Sequence, residues 1–152
     1  MDKTDDTRGL SDPFDLKRFT AAQERIYSTA LAELKRGQKQ SHWMWFIFPQ
    51  IEGLGHSSTS RHYAIKSLEE ARAYLAHPVL GQRLRECTEA VMAVEGRSAP
   101  AIFGYPDDMK LKSSMTLFAF VDEDPNSPFT RVLEKYYRGE RDTGTLQILE
   151  TL

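Results

Sequence analysis

The stretch Ser41-His-Trp-Met-Trp-Phe-Ile-Phe-Pro-Gln50, continuing as Ile51-Glu-Gly-Leu-Gly-His-Ser-Ser-Thr-Ser-Arg-His-Tyr63, is where the fold reading turns. Trp43 to Phe48 is an unbroken apolar run, so periodicity alone does not separate a buried short helix from a strand. Ser41 is a helix-capping residue type and Pro49 stops helices, so the reading taken is a short helix. Pro49 to Ser60 then reads as an irregular loop, longer than the roughly 4–6 residues of an ordinary connection. With a helix at 42–48, no segment carries a convincing β-hairpin signal.

Outward from that block, start and stop signals alternate at helical spacing. Upstream, Asp12-Pro13 opens a run in which Leu16, Phe19, Gln23, Ile26, Ala30 and Leu34 recur at near-helical intervals. Gly37 ends it, predicting one long amphipathic helix. Downstream, Ser60 to Ile65 reads as a turn of helix, and Ser67 with Glu70 as a capping box. Pro78 opens a helix carrying Leu80, Leu84, Cys87, Val91 and Val94, which Gly96 closes. Ser98 to Gly104, Tyr105 to Val121, Ser127 to Gly139 and a last element from Asp142 complete the series. The prediction is an all-α, compact single-domain bundle of about seven or eight short-to-medium helices over 12–152, with 1–11 as a flexible N-terminal tail.

At 152 residues the chain suits one domain, able to bury a core without disulfide or metal. The single Cys87 excludes an internal disulfide and any cysteine-cluster zinc site. Met1 to Ser11 carries no secretory apolar core, and no run reaches the ~20 residues of a membrane span. The expectation is a cytoplasmic protein with no membrane partner. Twenty basic against 22 acidic residues argue against nucleic acid as a partner.

Candidate chemistry gathers in two places. The first is the Ser41–Tyr63 stretch, with both tryptophans, three of the four histidines and the Gly53-Leu-Gly55 turn. Aromatic rings form rigid apolar walls, and glycines let backbone approach a ligand. Hydroxyls at Ser57 and Ser60, the Arg61 guanidinium and free helical N–H groups favour an anion such as phosphate. Trp43 and Trp45 are the candidate walls, with Gln50, Gly53, Gly55, Ser57, Ser60, Arg61 and Tyr63 as ligand contacts. The same loop read plainly is an ordinary capped turn, and the same rings are core. His42, His56 and His62 have no metal-ligand spacing, so no metal site is predicted. His62 or His42 would serve as a base or an orienting group.

The second concentration is Asp107-Asp-Met-Lys-Leu-Lys-Ser-Ser-Met-Thr116. Read plainly it is a solvated helix face, with Asp108 and Lys112 at ion-pair spacing. Read functionally, Lys110 and Ser113 share a side and reach an anion held by the glycine loop, Lys110 in a catalytic part. No Gly-x-Ser-x-Gly elbow supports a nucleophilic hydrolase. No cofactor is implied.

Taken together, Ser41 to Gln50, Gly53-Leu-Gly55 and Ser57 are similar to the opening fingerprint of a bacterial domain-of-unknown-function family. Its members are small, mainly helical proteins often labelled "calpastatin". The likeness continues through Tyr63 to Ile65, Glu70-Ala71, Tyr74-Leu75 and Lys110 to Phe118, and implies a helical single domain without an assigned activity. That inhibitor is a long disordered repeat protein, and this chain has the composition of a compact domain. A second resemblance, through His62-Tyr63 alone, is to the NAD- and ADP-ribose-associated (NADAR) helical family, which processes N-glycosides. Arg61 stands where that family's motif is acidic.

Two functions follow as expectations. One is a protein that binds a small phosphorylated or nucleotide-like ligand of the ADP-ribose type in an aromatic-walled pocket, and in its enzymatic form hydrolyses it. The alternative is a non-catalytic protein-interaction module using a Trp-rich surface. Oligomeric state is not legible.

Overall fold

The computed structural model describes residues 12–152, and the 1–11 tail expected above lies outside the described residues. The regular elements among the described residues are all helices, with no strand among them. The ten helices are α1 Lys17–Gln23, α2 Tyr27–Arg36, α3 Met44–Ile47, α4 Ser58–Tyr63, α5 Leu68–Ala76, α6 Leu80–Ala93, α7 Ala99–Phe103, α8 Asp107–Asp122, α9 Pro128–Tyr137 and α10 Thr143–Thr151.

Ten helices replace seven or eight partly because the predicted long first helix is two. Ile26 N–H turns back to the Gln23 carbonyl at 3.1 Å, a tighter turn that ends α1. The cause is Gln23, whose side chain is buried rather than solvated. Its amide nitrogen donates to the Phe46 carbonyl at 2.8 Å and to the Tyr74 hydroxyl at 3.3 Å, and its oxygen accepts from Arg83. Satisfying a buried amide fixes where the chain turns.

The cap expected at Ser41 is not made, because α3 begins at Met44 behind Trp43 and the Ser41 hydroxyl donates to Glu33. At Ser67, Ser98, Ser127 and Asp142 the cap chemistry works as the sequence implies, and Ser57 adds a cap the sequence reading did not name. Ser57, Ser67, Ser98, Ser127 and Asp142 each accept the N–H three residues on. Gly37 closes α2 at φ 73°. Glu70 departs from the box geometry. One of its oxygens accepts from Lys66 N–H at 2.9 Å, and the other meets Arg18 at 2.6 Å.

The centre is α8, which packs against α5, α7, α9 and α10. Leu111, Met115, Leu117 and Phe118 are all fully buried, and Ser113, Ser114 and Thr116 are buried beside them, so the middle of the helix is enclosed on nearly every side. Two of its hydroxyls are satisfied locally, Ser113 donating to the Met109 carbonyl at 3.2 Å and Thr116 to the Lys112 carbonyl at 2.8 Å, while the buried Ser114 hydroxyl has no partner among the described residues. The expected Asp108–Lys112 pair is not made; Lys112 reaches Glu140 at 3.5 Å instead, and Asp108 is buried.

Two tethers position the functional region. Glu33, on α2, accepts from Gln40 and Ser41 N–H, the Ser41 hydroxyl and the Trp43 indole, at 2.5 to 3.0 Å. Burial raises its pKa, but these bonds, led by the Ser41 hydroxyl, outweigh burial and hold it at about 2. A parallel bridge between Ile51 and Ile65 is the second tether. Glu52 N–H donates to the Ile65 carbonyl and Ile65 N–H to the Gln50 carbonyl, both at 2.8 Å. It clamps the two ends of the segment carrying the glycine loop and α4.

Candidate functional site

One helical turn decides which rings face where. Trp43 caps α3 with its ring wholly buried, against Phe48 and under the Lys39 ammonium. Two residues on, Trp45 lies on the other side of the turn and is half-buried. Phe46 packs on Tyr63 at 5.3 Å, bringing α3 against α4. Neither tryptophan forms a broad open surface.

Between the bridge, the glycine loop and α4 lies a cavity of about 20 Å3, room for one water molecule. Seven residues singled out from the sequence line it: Trp45, Gln50, Gly53, Gly55, Ser60, Arg61 and Tyr63. Ile51, Glu52 and Ala64, which the sequence reading did not name, complete the wall. Gly55 is required by close approach, because a Cβ there would lie 2.7 Å from both Cβ and Oγ of Ser60. Gly53 adopts φ 111°, a conformation side chains resist.

The second polar segment reaches the first through Lys110. Its Nζ stands 3.9 Å from the Trp45 ring centroid and 3.1 Å from Asp107 Oδ1. Asp107 Oδ2 is 2.9 Å from Lys39 Nζ, which also donates to the Ser41 carbonyl at 2.7 Å. Burial alone raises the Asp107 pKa, but hydrogen bonds from Lys39 and Lys110 together carry it below the usual value. Lys39 and Asp107 are thus members of this cluster that sequence reading passed over. Asp107 carried the signature of a first-turn helix carboxylate, and Lys39 sat in a plain polar turn.

The remaining candidates lie apart. Ser113 is buried within α8, and Ser57 spends its hydroxyl oxygen on the Ser60 N–H. His42 is exposed beside α3. His62 is exposed on the opposite rim of α4, in a groove with Phe14, Arg18 and Lys66, its ring edge-on to Tyr63 at 4.6 Å. The floor of that groove is a closed structural unit. All five Arg18 N–H donors are used, on the Phe14, Asp15, His62 and Ala64 carbonyls and on Glu70. No group of three or more metal-binding side chains occurs among the described residues. No helix among them is long and apolar enough to cross a membrane.

Fold and site define an all-helical protein with one small cleft at an aromatic turn, flanked by a two-lysine, one-aspartate cluster. The chain belongs to the family described as "Protein of unknown function (DUF1810)", whose model matches residues 13–149. It is similar in structure to the conserved hypothetical protein Rv1873 from Mycobacterium tuberculosis, with a TM-score of 0.89 and 54% sequence identity. That match covers 91% of this chain and 99% of the other. No curated protein matches.

Proposed function

We propose that this chain binds a small phosphorylated, nucleotide-like molecule of the ADP-ribose type at the cleft between the Gly53–Gly55 loop and α4. The observation that carries the reading is convergence. Residues from the aromatic turn, glycine loop and α4 share one cavity, and Lys110 from α8 stands over the ring of Trp45, one of its walls. The cavity accepts one ligand atom, such as a phosphate or ribose oxygen, in place of a water. The rest of the ligand lies outside, against Trp45 and the exposed Arg61.

Arg61 suits a phosphate through paired N–H donors, and Trp45 suits a planar base. Glu52 and Gln50 supply acceptors for sugar hydroxyls. Hydrolysis at this cleft would use Glu52, the carboxylate in its lining, because His42 and His62 lie outside it.

The experiment is a thermal-shift titration with ADP-ribose, NAD and AMP. A ligand of the native state raises the midpoint, by about 2.7 kcal/mol of stability at a hundredfold excess over Kd. The expected result is a rise with at least one of the three that Arg61→Ala diminishes. An unmoved midpoint at millimolar concentration of all three overturns the reading.

A further inference from the structure

We propose that Lys110 is an exchangeable cap on Trp45, released by the ligand's anionic group so that its planar ring takes the vacated indole face. The inference rests on the binding reading above and narrows it to ligands carrying both an anion and a flat ring. An anion or a ring alone would then bind, but more weakly than the two joined in one molecule.

The geometry distinguishes the two lysines that share Asp107. Lys39 is fixed: its side chain is 7% exposed, and it is held by Asp107, the Ser41 carbonyl and the Trp43 face. Lys110 is 22% exposed, and its contacts are Asp107 Oδ1 and the Trp45 face. When Lys110 leaves, Asp107 keeps Lys39, so no buried carboxylate is stranded. An ammonium over an indole is held by the ring's quadrupole, and a ligand phosphate attracts it more strongly. Releasing it uncovers the one tryptophan that is not fully buried. Anion binding and ring stacking are therefore coupled through one side chain, and such coupling is reciprocal.

Trp43 and Trp45 are the only tryptophans and Trp43 is wholly buried, so emission reports this exchange, with Trp45→Phe as the assignment control. The full chain is titrated with inorganic pyrophosphate, adenosine and AMP, as wild type, Lys110→Met and Lys110→Gln. Pyrophosphate alone is expected to change wild-type emission and to leave both variants unchanged. AMP is expected to bind wild type about fivefold or more tighter than adenosine. In both variants that ratio should fall to the share that Arg61 supplies, with adenosine binding better than it does to wild type.

Wild-type emission unmoved by pyrophosphate overturns the inference. So does an AMP preference that is undiminished in both variants, and in that case the binding reading still stands. Pyrophosphate moving the emission while neither AMP nor ADP-ribose binds overturns the nucleotide reading, and with it the ring half of this inference.

Discussion

The Lys110 ammonium stands over the Trp45 ring at 3.9 Å from its centroid, joining the first turns of α8 to the turn of α3. The contact is made from a fixed base. Asp107, three residues before Lys110 on the same helix, bridges it to Lys39, and Lys39 is tied to the Ser41 carbonyl. The aromatic turn is thus held from α8 by charge and from α2 by Glu33.

Asp107→Asn should destabilise the protein by about 1–3 kcal/mol, because it leaves the buried Lys39 ammonium with a neutral partner. Chemical unfolding at pH 7 measures this. The wild-type carboxyl is held below its usual pKa, so its contribution is complete above the unfolded value of about 3.9 and disappears as pH falls. The difference between wild type and variant should therefore shrink in acid. An equal gap at pH 7 and pH 3 would contradict the pairing.

Glu33 predicts a second acid dependence. Its folded pKa is about 2, against about 4.3 for an unfolded glutamate. Its stabilisation is present above about pH 5 and is lost as pH falls toward 2, roughly 3 kcal/mol in all. Glu33→Gln should flatten that limb of the stability–pH curve and lower stability at pH 7. It should also disturb Trp43 emission, since the indole N–H loses an anionic acceptor at 2.8 Å.

Arg18→Lys tests the unit beneath the His62 groove. A lysine keeps the charge beside Glu70 but has three donors in place of five, and no planar fork. Two or more of the carbonyls on Phe14, Asp15, His62 and Ala64 lose their partner. Stability should fall by about 2 kcal/mol or more. Ligand affinity at the Trp45 cleft should be little changed in the surviving folded protein, because Arg18 takes no part in its lining.

The helical fold was legible because its signals are local. Ser67, Ser98, Ser127 and Asp142 cap helices where an oxygen precedes a free N–H by three residues, which a sequence states directly. The break after Gln23 was not, because its cause is three partners contributed by Phe46, Tyr74 and Arg83. Site composition was partly legible for a similar reason. The Ile51–Ile65 bridge gathers neighbours in sequence, so Gln50, Gly53, Gly55, Ser60 and Arg61 fall together. Direction was not legible. His62 and Arg61 are adjacent yet face different rims of α4, and Trp43 and Trp45 divide between core and cleft.

Packing of the glycine loop on α4 yields a paired test. A methyl at Gly55 would meet Ser60 Cβ at 2.7 Å, and Ser60 sits on a helix whose ends are held by the Ser57 cap and the Ile65 bridge. Neither side can yield without moving backbone, so Gly55→Ala should lose about 1–3 kcal/mol. Ser60→Gly removes both clashing atoms, at about 1 kcal/mol for glycine in a helix and the loss of a bond to the Ser57 carbonyl. The double variant should then be more stable than the sum of the two losses implies, by about 1 kcal/mol or more. Urea midpoints of the four proteins measure this coupling directly. Strict additivity would mean that the loop does not rest on α4, and the cavity between Trp45 and Arg61 would lose its wall.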